Sequence, residues 1–254
     1  MKRSILVPLF LVVVLALAAT TTYAISVKYP FVYINRFPDE GESLLGYGKG
    51  NLLSLGAFVI PGDFPVTEVT AKNLDTGLIL KLTTLTGVDK IYKGKMTLYH
   101  TYESGRKYPP FDPSKHLGVW EIRAKDEKGN EVAAKTHRLD KVGEMPFVGN
   151  IKASGNPLAP TISWSAPQEG GYPPECKIRY AVRLLKSGGD QFYRSKYTND
   201  TKHEIPEGVL KSEDIPGTHI RVECQCVDPD DKEYAVPVEL RSDTFRPLKE
   251  ALGQ

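Results

Sequence analysis

The stretch IPGTHIRVECQCVDPDD, residues 215–231, decides how the second half of this chain is read. Its middle alternates strictly. Ile220, Val222, Cys224 and Cys226 fall on one side of an extended chain; Arg221, Glu223 and Gln225 fall on the other. Successive side chains of a β-strand point to opposite faces, so this pattern predicts a strand whose core face carries aliphatics and cysteines. The two cysteines then lie on one face, ~7 Å apart along the chain. A zinc centre draws on four ligands, commonly with two-residue gaps. Only three cysteines exist, and no histidine stands beside the pair in phase. The pair therefore reads as interior filling, with no metal and no cofactor expected.

Outward from this strand, the same period-two signal recurs in short runs broken by Gly, Pro, Asn and Asp. Strands are expected near residues 31–37, 52–60, 67–73, 78–84, 95–102, 118–124 and 131–138. They recur near 150–154, 161–165, 177–185, 191–196, 202–205, 219–227 and 233–240. Asp75-Thr76-Gly77 and Lys128-Gly129-Asn130 supply hairpin turn chemistry. Helical periodicity is almost absent before Phe245. Short strands at this spacing predict an all-β protein built as two tandem β-sandwiches. The expected division is a leader at 1–24, a sandwich at 25–140, a linker at 141–149, a second sandwich at 150–243 and a tail at 244–254.

The N-terminus has the form of an export leader. Lys2 and Arg3 precede an apolar run over residues 5–19, and Thr22-Tyr23-Ala24 offers small residues for cleavage after Ala24, with a second possible site at 16–18. The run is short for a span of ~20 apolar residues. The expectation is a secreted or periplasmic chain with no transmembrane segment after cleavage. The formal net charge of +2 resides in Lys2 and Arg3, so the remainder is neutral and lacks the basic body of a nucleic-acid binder.

Residues 160–167, PTISWSAP, resemble strand B of a fibronectin type III domain, with an apolar residue, tryptophan two on, and a closing proline. Ile178, Tyr180 and Val182 resemble its strand C, and residues 215–226 its E–F corner and strand F. Ile220 stands where that family usually has a corner tyrosine. The resemblance implies that strands C and F are antiparallel neighbours, so Cys176 at the start of C lies near the end of F. It thereby implies a Cys176–Cys226 disulfide, with Cys176–Cys224 as the alternative and three reduced thiols as the remaining possibility; export permits a bridge. In the first half, GVWEIRAKDEKGNE (residues 118–131) resembles the F–G hairpin of bacterial immunoglobulin-like modules, which implies an immunoglobulin-like sandwich with Trp120, Ile122 and Ala124 facing its core.

Reactive constellations are scarce. The five histidines, His100, His116, His137, His203 and His219, show no metal-ligand spacing, and no GxSxG elbow is present. Asp228-Pro229-Asp230-Asp231 holds enough oxygens for calcium but reads as a solvated turn. Gly46-Tyr47-Gly48-Lys49-Gly50 reads as a loop. Asn199-Asp200-Thr201 is a glycosylation sequon, expected bare behind a leader of bacterial type. Residues 90–111 interleave Tyr92, Tyr99, Tyr102 and Tyr108 with basic residues and form the candidate contact surface. The expected function is non-catalytic: a binding, spacer or assembly protein of the cell envelope, with a protein or polysaccharide partner. The alternatives are a carbohydrate-binding accessory protein using residues 90–111, an exported hydrolase, and assembly by strand addition through residues 25–30 or an open edge.

Overall fold

The computed structural model describes residues 24–84, 96–101, 107–140, 143–168, 172, 176–227 and 238–254. The first half contributes β1 (Ser26–Phe37), α1 (Asp39–Leu45), β2 (Gly50–Ile60), β3 (Val66–Asn73), β4 (Ile79–Lys81), β5 (Thr83–Thr84), β6 (Thr97–His100), α2 (Pro113–His116), β7 (Gly118–Asp126) and β8 (Glu131–Leu139). The second half contributes β9 (Gly149–Asn156), β10 (Ala159–Ser165), β11 (Lys177–Lys186), β12 (Gln191–Arg194), β13 (Lys202–Glu204), a 3-10 turn (Ser212–Gly217), β14 (Thr218–Val227), β15 (Val238–Pro247) and α3 (Leu248–Ala251).

Three sheets form from these strands. A four-stranded sheet runs β4-β3-β7-β8 and a three-stranded sheet runs β13-β10-β9. Both cover one face of an eight-stranded sheet ordered β12-β11-β14-β15-β1-β2-β6-β5. The molecule is therefore an all-β pair of sandwiches, as the alternating runs predict. The two share one continuous sheet. The join is a parallel ladder between β1 and β15, with Ile34 opposite Leu240, Asn35 opposite Arg241 and Arg36 opposite Ser242. Among the described residues, every other pairing is antiparallel.

Alternation explains the inner face. Trp120, Ile122 and Ala124 of β7 meet Val69 and Ala71 of β3 and Leu53, Leu55, Ala57 and Val59 of β2. Across the seam the same cluster continues through Ile34, Leu240, Cys224, Val222, Tyr180, Val182, Ile162 and Trp164. It is one core, not two. The connector is packed rather than free: Met145 and Val148 are buried, Ser242 Oγ donates to the Pro146 carbonyl at 2.7 Å, and Arg36 pairs with Glu144 at 3.0 Å.

Several strands differ from expectation. The run at 78–84 splits, because Leu82 turns into the core: β4 pairs with β3, while β5 pairs with β6 in the larger sheet. Residues 244–254 are not a loose tail. Thr244 to Pro247 complete β15, and Leu248 and Ala251 of α3 are buried. Ser26 to Lys28 pair with Ile60 to Phe58 of β2, so this segment is already engaged and is not a donor strand. α1, whose DEGESLL sequence carries no apolar stripe, was not anticipated.

α1 also fastens the halves on the outer face of the shared sheet. Leu45 packs with Phe37, Leu52 and Tyr108 of its own half and with Leu185 and Phe245 of the other. The β11–β12 turn comes so close that a Cβ on Gly189, whose φ is +81°, would stand 2.5 Å from the Leu44 carbonyl oxygen. Only glycine tolerates both constraints. Gly189→Val should cost about 2 kcal/mol or more, lowering the melting temperature by ~4–8 °C. Calorimetry of wild type and variant should each show one transition, and the variant should not release one half alone.

Candidate functional site

The Cys176–Cys226 bridge is present, with Cα atoms 5.0 Å apart, and Cys224 is a buried free thiol whose pKa burial pushes up. Register explains the choice. Cys226 lies opposite Ile178, two residues from Cys176, whereas Cys224 lies opposite Tyr180, one strand repeat further away. Trp164 is buried and meets Tyr180 edge-on at 5.4 Å.

Of the expected contact surface, Tyr108 is corrected. Tyr108 is buried in an aromatic cluster with Phe37, Tyr47 and His100, where its ring fills the outer mini-core. Tyr99 is half-buried and packs against the main core, because odd positions of β6 face inward. Tyr92 and Tyr102 lie outside the described residues, as does the Asp228–Asp231 turn. Of the four candidates, the two described, Tyr99 and Tyr108, are therefore packing groups.

Two of the histidines, His116 and His203, link structural elements. His116 Nδ1 accepts from the Asp112 amide at 2.9 Å, and the His116 carbonyl accepts from Trp120 Nε1 at 3.0 Å. His203 Nε2 lies 2.6 Å from Tyr193 Oη, linking β13 to β12 at the sandwich edge. His100 is held neutral, its pKa lowered to about 3 by burial and by Arg241. Burial also lowers His137, to about 4. Among the described residues, no three His, Cys, Asp or Glu side chains gather as a metal-ligand set.

The densest polar constellation lies where alternation placed solvent. Arg221, Glu223 and Gln225 do point away from the core, yet all three are buried, together with Arg241 and Asp243 of β15. Register brings them together. Glu223 stands opposite Asp243, and Gln225 opposite Arg241. Like charges directly opposed repel, so each carboxylate is matched diagonally. Asp243 accepts from Arg221 Nε at 2.7 Å and from Arg241 Nη2 at 3.0 Å. Glu223 pairs with Arg241 at 3.1 Å and with Arg183, and accepts from Tyr197 Oη at 3.0 Å. Arg241 Nη1 donates to Tyr33 Oη across the seam at 3.4 Å. Burial alone would raise both carboxyls; the guanidinia overcome it and hold Glu223 and Asp243 below the usual carboxylate range. In the sequence, the paired R-x-E and R-x-D patterns at 221–223 and 241–243 were the available signal.

This network holds ionised carboxylates against protonated guanidinia, so it lacks a poised base, acid or nucleophile. What it does is lock strands β11, β14, β15 and β1 in register. The chain is matched by no family model and by no curated protein. Among solved structures, domains A168-A170 from titin are similar at 12% identity, over 84% of this chain and 61% of that one, with a TM-score of 0.23. This chain thus spans 61% of the length of that structure, and the likeness is too slight to bear on what the chain does. The sandwich assignment rests on the strands and sheets themselves.

Three outcomes test the site. Thiol titration in denaturant should find one reactive group without reductant and three with it, and Cys176→Ser should cost about 2–4 kcal/mol. Asp243→Asn should cost about 3–5 kcal/mol in denaturant melts, since it strands the buried Arg221 and leaves Arg241 with Glu223 alone. The pH dependence has two windows. His100 binds no proton in the fold until about pH 3 but titrates near its ordinary value when unfolded. Stability should therefore fall below pH ~6.5 by up to ~1.4 kcal/mol per pH unit for that group. The depressed carboxyls keep their contribution above pH ~4 and lose it below. His100→Gln should reduce the slope between pH 4 and 6.5, leaving the share that the buried His137 contributes over the same window; an unchanged slope would contradict the assignment to His100.

Proposed function

We propose that this protein is an exported, non-catalytic binding or spacer protein of the cell envelope, a rigid pair of sandwich units at residues 25–140 and 150–243 acting on a protein or polysaccharide. The observation that carries this reading is the shared eight-stranded sheet, which fixes the two units at one spacing and orientation. Flexible tandem modules adapt to partners; a fused pair presents one fixed surface. The interior chemistry supports the same reading, because the buried histidines, the thiol and the charged network are each committed to packing or pairing. Fibronectin type III-like character in the second unit is supported by Trp164 and Tyr180 in the core and by the β11–β14 pairing. Fold by itself leaves function open, so export and binding need direct tests.

Expression of the whole chain in a bacterial host, with fractionation and N-terminal sequencing, should find a product beginning at Ile25 outside the cytoplasm. The immobilised mature chain should retain a defined component of the envelope fraction and hydrolyse none of a panel of chromogenic esters and glycosides. A full-length cytoplasmic product, or turnover of that panel, would contradict the reading.

A further inference from the structure

The chain enters the shared sheet by β1 and leaves it by β15, and these two strands are neighbours and run parallel. Their direction has a mechanical consequence. Ile34 lies level with Leu240, so the start of β1 at Ser26 points to one end of the sheet and the end of β15 at Pro247 points to the other. By strand rise the two exits lie roughly 45–50 Å apart along the strand axis. Tension that draws the two ends of the chain apart therefore runs along both strands in opposite senses, with the ladder between them.

Inter-strand hydrogen bonds lie across the strands. Tension along the strands loads all the bonds of a ladder together, in shear, whereas tension across them opens one pair at a time. Both strands hold central places in the eight-stranded order, each bonded on either side. β1 can slide only by also slipping along β2, from Ser26–Ile60 to Phe37–Gly50. β15 can slide only by also slipping along β14, from His219–Pro247 to Val227–Val238. Side chains oppose the same motion. Ile34 and Leu240 are buried beneath the ladder, while above it Arg241 donates to Tyr33 of β1 and pairs with Glu223 of β14. A one-residue slip turns every side chain of the moving strand to the other face. For β15 it would carry Arg241 and Asp243 toward the core. The exit past β15 is pinned as well, by the buried Leu248 and Ala251 of α3.

We propose that the β1–β15 seam is a shear clamp, and that the protein is a tension-bearing spacer that keeps its two ends at a fixed separation under pull. Tandem modules joined only by a linker would pass tension through that linker, and each module would open by itself. Here the load crosses both halves through one sheet. The inference deepens the spacer arm of the reading above and rests on it.

The test is single-molecule force spectroscopy of the mature chain in two pulling directions. In the first, tags at the two ends of the chain carry the load. In the second, the N-terminal tag is paired with a handle on Asp63→Cys, an exposed position just past Ile60, where Ser26 and Ile60 end the β1–β2 ladder and tension runs across the strands. The buried Cys224 thiol does not compete for that handle. At equal loading rate, end-to-end pulling should need about twofold or more the force of the second direction. It should give one main event releasing most of the ~80 nm contour of residues 25–254. Equal forces in the two directions overturn the inference. So do end-to-end traces in which the halves part at low force and then open in two separate steps. Retention of an envelope component by the immobilised chain would in that case leave the binding reading standing.

Discussion

The parallel ladder between β1 and β15 is the constraint on which the rest of the structure depends. It is short, with Ile34, Asn35 and Arg36 facing Leu240, Arg241 and Ser242. Yet it turns two four-stranded layers into one sheet and removes two strand edges at once, which protects both from pairing with other chains. Parallel pairing is slightly weaker per residue than antiparallel pairing. The seam is accordingly reinforced from every side: the core continues beneath it, the 143–148 connector is hydrogen-bonded alongside it, and α1 roofs the outer face nearby. The charged network follows from the same geometry. Closing the seam places Arg241 against Tyr33 and buries Asp243, so their charges have to be met by Glu223 and Arg221.

The inner face of every sheet was legible because burial there is a local, period-two property. Trp120, Ile122 and Ala124, or Ile220, Val222 and Cys224, declare their side by alternation alone. The outer face was not. Arg221, Glu223 and Gln225 read as solvated because nothing nearby in sequence covers them; Arg221 is covered by Phe37 from the other half of the chain, and Glu223 and Gln225 are met by Tyr197. The extent of β15 was obscured for a related reason. RSDTFRP looks like a polar tail until Arg241 and Asp243 have partners. α1 escaped notice because its sequence lacks an apolar period, its role being carried by Leu44 and Leu45 at one end. Tyr108 was misplaced because an aromatic among basic residues looks the same whether it covers a partner or fills a mini-core.

This division bears on function. His116 and His203 hold a turn and a strand pair in place, and Glu223 and Asp243 are committed to buried guanidinia. What the fold leaves toward solvent is a rigid surface, graded in one place from the buried Arg221–Asp243 ion pair to the exposed Arg194. A buried network that fixes register thus also sets the position of the exposed charge at its margin.

Hydrogen exchange along the seam tests the fused-sheet account most directly. If β1 and β15 are one ladder inside one cooperative unit, amides in peptides covering residues 31–37 and 238–247 should exchange only through global unfolding, as slowly as those of β7 and β14. Fast exchange of those two peptides while β7 and β14 stay protected would show two sandwiches that merely touch, and would contradict it.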